Sequence, residues 1–97
     1  MPAAILAIAA GTLITGAQLQ ASLSSPDSAP IGSAYVAGIW DSGAGVSFCG
    51  RPSLEELTVG TLRLLAATPR KELAGPARVI LHRQLEKSFP CPKTPQV

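Results

Sequence analysis

A chain of 97 residues supports one domain and not two. With 46% hydrophobic and 14% charged residues it is too apolar for intrinsic disorder and too short for a multidomain cofactor enzyme. The formal charge of +2 is uneven: residues 1–50 hold only Asp27 and Asp41, and all 8 basic residues lie beyond them, without the dense basic footprint of a nucleic-acid binder.

Aromatic residues amount to 4%, namely Tyr35, Trp40, Phe48 and Phe89, so a core must be built from Leu, Ile, Val and Ala. A domain this small buries roughly two thirds of its unfolded surface and is marginal without a staple. The longest apolar stretch runs from Ala3 to Ile14, too short for a helical membrane span of about twenty residues. It matches the apolar region of an export signal, although Met1-Pro2-Ala3 brings no positive charge. Two readings stand: residues 1–11 are the remnant of a signal peptide, or they form a first helix. The absence of an amphipathic pattern favours the remnant. Residues 12–92 then form a single helical domain, and 93–97 a disordered tail.

The first predicted helix runs from Thr15 to about Ser24, with Thr15 as N-cap and Leu19 and Leu23 at i, i+4. Ser24-Ser25-Pro26-Asp27 breaks it. The second runs from Ala29 to about Ser42, capped by Asp27 or Ser28, with Pro30 in its first turn. Ile31, Tyr35 and Ile39 are expected on its buried face, with Ala34 and Gly38 as a small-residue stripe for close helix approach. Gly43-Ala44-Gly45 ends it.

Ser53-Leu54-Glu55-Glu56 is a capping box that opens the third helix, and Leu54, Leu57, Leu62, Leu64 and Leu65 give it a broad apolar face. Thr68-Pro69 stops it. The fourth starts near Gly75-Pro76 and runs to about Ser88, with Ala77, Leu81, Leu85 and Phe89 at intervals of four. Pro90, Pro92 and Pro95 forbid more helix. No stretch alternates like a β-strand. The expectation is an all-α fold, a small bundle of four helices.

Cys49 precedes the third helix and Cys91 follows the fourth. The two helices are about 22 and 20 Å long and share a short connection, so they are expected to form an antiparallel hairpin whose open ends meet. That geometry predicts a Cys49–Cys91 disulfide. The alternative is two buried thiols in a reducing compartment.

Gly16-Ala17-Gln18-Leu19, Ala34-Tyr35-Val36-Ala37-Gly38-Ile39-Trp40-Asp41, Phe48-Cys49 and Phe89-Pro90-Cys91 together resemble the Tai family. These are small helical periplasmic immunity proteins that neutralise peptidoglycan amidase toxins of type VI secretion. The resemblance covers residues 15 to 92. It implies a periplasmic location and a protein partner, a cognate amidase, whose active site the immunity protein occludes. It departs from the family pattern at Pro52, which falls three residues after Cys49 rather than two.

Catalytic constellations are weak. His82 is the only histidine and reads as a surface helix residue. No Gly-x-Ser-x-Gly elbow or phosphate loop is present. Glu55 and Glu56 diverge on a helix. Asp41, in a last helical turn, opposes the dipole and is expected to find a donor in Arg51 or backbone N–H groups. The chain is therefore expected to bind rather than catalyse, with no cofactor, no metal, no nucleic acid and no stable membrane span, and with a homodimer left open. The connection at the hairpin tip, Thr68, Pro69, Arg70, Lys71 and Glu72, is the expected partner-binding segment. The competing function is a periplasmic helical structural or chaperone-like binding protein without a toxin partner.

Overall fold

The computed structural model describes residues 14–93. Five helices follow one another: α1 Gly16–Ser24, α2 Ala29–Gly43, α3 Leu54–Ala67, the single turn α4 Arg70–Leu73, and α5 Ala77–Ser88. Among the described residues there is no strand, and two isolated bridges, Thr15 with Pro76 and Ala44 with Phe48, pin loops. The chain is all-α as its sequence reads, with one helical turn more than expected. The reading of residues 1–11 as a signal remnant lies outside the described residues, as does that of the tail beyond Lys93.

Local chemistry explains where the helices start. Thr15 caps α1: its hydroxyl accepts from the Gln18 N–H at 3.1 Å and the Gln18 side chain accepts from the Thr15 N–H at 2.8 Å. Ser53 and Glu56 form the same reciprocal pair at α3, at 3.0 and 2.8 Å. The backbone N–H and hydroxyl of Ser53 hold the exposed Glu56 carboxyl below its ordinary pKa. Ser28 stands at the N-cap of α2 but makes no cap hydrogen bond. Its hydroxyl donates to the Ser22 carbonyl while the Ser22 hydroxyl donates to the Ser28 carbonyl, each at 2.9 Å. The pair clasps the end of α1 to the start of α2.

The core gathers Leu19 and Leu23 from α1, Val36 from α2, Phe48 from the following loop, Leu57 and Leu65 from α3, Leu73 from α4, and Ala77, Leu81 and Leu85 from α5. The four-residue spacings expected for α1 and α5 are thus the buried ones, except that Phe89, just past the end of α5, is half-buried. Thr61, which falls among the α3 leucines, is also buried and spends its hydroxyl on the Leu57 carbonyl at 2.7 Å. α1 packs against every other helix, and α2 against α1, α3 and α5.

The buried face of α2 differs from the expected one. Ile31 is 71% exposed, Tyr35 and Ile39 are half-buried, and Ala34 and Gly38 face outward. Gly32, Val36 and Gly43 point inward instead. The reason is clearance. A Cβ at Gly32 would lie 2.7 Å from Leu23 Cδ2, whereas one at Gly38 would meet nothing within 4 Å. Gly32→Ala is therefore expected to cost about 1–3 kcal/mol through overpacking. Gly38→Ala is expected to stabilise by about 0.5–1 kcal/mol through helix propensity. Urea denaturation of the two variants checks this, and the opposite order would contradict the assignment of faces.

Cys49 and Cys91 are bonded, with their Cα atoms 4.9 Å apart. The Cys49 N–H also donates to the Phe89 carbonyl at 2.8 Å. These links join the open ends of α3 and α5, which run antiparallel from the α4 connection. The two arms approach the α1–α2 pair more closely than each other, and a cleft of about 70 Å³ lies between Leu57 and Thr61 on one side and Leu81 and Leu85 on the other.

Candidate partner-binding tip

The tip is built on a fixed anchor. α3 stops at Thr68, whose extended backbone breaks the helix. Its hydroxyl donates to the Leu64 carbonyl at 2.6 Å. Pro69 then starts a new turn: the N–H groups of Glu72 and Leu73 both donate to the Pro69 carbonyl, at 2.9 and 3.0 Å. This turn, α4, replaces the irregular connection expected from the sequence. Proline fits the position because it spends only its carbonyl there.

Leu73 explains why the turn holds. Its side chain enters the core, packed over Gly16, where a Cβ would lie 3.0 Å from Leu73 Cδ2. The return is sewn to the start of α1 by Gly16 N–H to Gly75 O at 3.0 Å and Ala77 N–H to Ile14 O at 2.7 Å. Pro69, Arg70, Lys71 and Glu72 are left exposed on the rim, and Thr68 is half-buried beneath them. All five expected residues therefore sit together. None of the three charged ones is in an ion pair among the described residues.

The other sequence candidates are placed differently. Asp41 is exposed at the end of α2 and has no salt-bridge or hydrogen-bond partner among the described residues, so neither Arg51 nor a backbone amide serves as its expected donor. Solvent meets the need that a buried carboxylate would have. His82 is a helix residue whose side chain is 41% exposed, as the sequence reads; its ring stands edge-on to Phe48 with centroids 5.2 Å apart, and its Nδ1 is 3.6 Å from Glu86. No group of three or more His, Cys, Asp or Glu residues forms a metal cluster among the described residues.

Sequence reasoning missed a groove of about 360 Å³ between α2 and α5, lined by Ile39 and Ser42 on one side and Arg78, Val79, His82, Arg83 and Glu86 on the other. Its walls lie some forty positions apart in the chain, so no local pattern announces it. Burial raises the pKa of Tyr35, and the nearby Arg78 partly offsets this.

The fold and the tip define a small all-α protein closed by a disulfide and presenting a structured basic turn. No described helix is long and apolar enough to cross a membrane. The disulfide fits a protein of an oxidising, extracytoplasmic compartment. Compared with protein-family models and with curated proteins, the chain matches none.

Proposed function

We propose that the chain is a periplasmic immunity protein that binds a peptidoglycan amidase of type VI secretion and occludes its active site. The observation that carries this reading is the tip: Pro69–Glu72 is exposed yet held in a helical turn, anchored by Leu73 and by the hydrogen bonds that tie the return to the start of α1. The Tai-like residues support the choice of partner. Val36 and Phe48 of those elements are core, and Cys49 and Cys91 form the staple.

Inhibition of this kind asks for no chemistry from the chain. A pre-ordered segment loses little conformational entropy on docking, and that favours affinity. Arginine is enriched among interface anchors. Arg70→Ala is expected to weaken binding of the cognate amidase at least tenfold, about 1.4 kcal/mol. Because Arg70 is exposed, the same change should move stability by less than about 0.5 kcal/mol. Calorimetric titration against a cognate peptidoglycan amidase tests the affinity, and thermal denaturation of the variant tests the stability. Unchanged affinity for Arg70→Ala would remove the tip as the contact.

A further inference from the structure

None of the tip residues lines the α2–α5 groove, which carries its own chemistry. Its apolar lining is Ile39 and Val79, the latter 39% exposed. Arg78 and Arg83, both exposed, line it as well. The one carboxylate among its lining residues, Glu86, stands beside His82, so neither arginine is in an ion pair among the described residues. Arg83 also borders a smaller depression that it shares with Lys87 and with Thr68 and Glu72 of the tip, so it stands between groove and tip. The volume falls within the usual range for ligand sites, where apolar walls bear a few convergent polar groups. Guanidinium forks pair with carboxylates bidentately, and both arginines are held on a helix, not a loop.

We propose that this groove is a second docking surface, lined by residues other than those of the tip, that takes an acidic and apolar peptide segment of a partner protein. Its carboxylates pair with Arg78 and Arg83, and an aliphatic side chain lies over Ile39 and Val79. Charge complementarity selects this occupant. A lipid surface is read by clusters of about four to eight basic residues, whereas here there are two beside a carboxylate. A nucleic-acid strand asks for exposed aromatic platforms, and the groove lining holds no Phe, Tyr or Trp.

The test is an amide-resolved NMR titration of the oxidised full chain with a synthetic peptide of alternating Glu and Leu. The same peptide with Lys for Glu is the control, and anionic phospholipid vesicles form a third arm. The expected result is saturable shifts at Ile39, Ser42, Arg78, Val79 and Arg83 with the acidic peptide only, weakened by added salt. The double variant Arg78→Gln/Arg83→Gln should bind at least about tenfold more weakly at an unchanged melting temperature, while Arg70→Ala should titrate like wild type. Equal binding by the double variant would overturn the assignment. So would shifts confined to Pro69–Glu72, equal response to the lysine peptide, preferential vesicle binding, or shifts that depend on the chain's own concentration.

Discussion

Reducing the Cys49–Cys91 bond is expected to lower the melting temperature by more than about ten degrees. The bond closes a sequence separation of 42, and a loop of that size constrains the unfolded chain by about 4 kcal/mol in the chain-entropy model. Each kcal/mol shifts a domain of this length by roughly 4–8 °C. The loss is a large part of the roughly 5–15 kcal/mol that holds a typical domain together. Local structure amplifies it. The same end of the molecule carries the Cys49–Phe89 hydrogen bond and the packing of Trp40 against Phe48 and Phe89. The Cys49→Ser/Cys91→Ser variant should behave like the reduced protein. Two titratable thiols in the native protein, or an unchanged melting temperature, would contradict this account.

Phe48→Ala is expected to cost about 3–5 kcal/mol, the range for deleting a buried aromatic side chain. Phe48 is 0% exposed. Its ring lies 4.9 Å from that of Trp40 and 5.2 Å from that of His82. Beneath it sits Gly43, where a Cβ would come within 2.5 Å of the ring. A glycine cannot swing a side chain into the vacated space, and Cys49 next door is tied by its disulfide. The cavity therefore collapses poorly, which places the cost high in its range. Phe89→Ala should cost less, because Phe89 is only half-buried. Urea denaturation followed by fluorescence of the sole tryptophan, Trp40, reads the change directly. A loss below about 1 kcal/mol for Phe48→Ala would contradict the packing described.

The helix boundaries were legible because their signals are local. Thr15 with Gln18 and Ser53 with Glu56 are capping pairs three residues apart, and Pro69 and Gly75 punctuate the connection. The disulfide followed from the positions of two cysteines at the ends of one hairpin. The face of α2 was not legible. Its sequence is apolar on nearly all sides, so a period of four picks out Ile31, Tyr35 and Ile39 as readily as Gly32 and Val36. The choice falls to clearance against Leu23 and Phe48, which only the tertiary structure sets. The turn α4 was hidden for a related reason. Arg70-Lys71-Glu72 reads as a solvated connection, and what makes it a helical turn is the burial of one residue, Leu73. The tip could be located as a segment, since all five of its residues are consecutive. The groove could not, since Ile39 and Arg83 meet only through packing.

In the proposed function, a disulfide-closed helical scaffold presents the Pro69–Glu72 turn to an amidase. The most direct measurement is hydrolysis of peptidoglycan by a candidate cognate amidase as the oxidised chain is titrated in. Activity should vanish near one equivalent of the chain, while Arg70→Ala/Lys71→Ala should need at least about ten times more to reach the same inhibition. Full hydrolytic activity in the presence of excess folded, oxidised chain would contradict the claim.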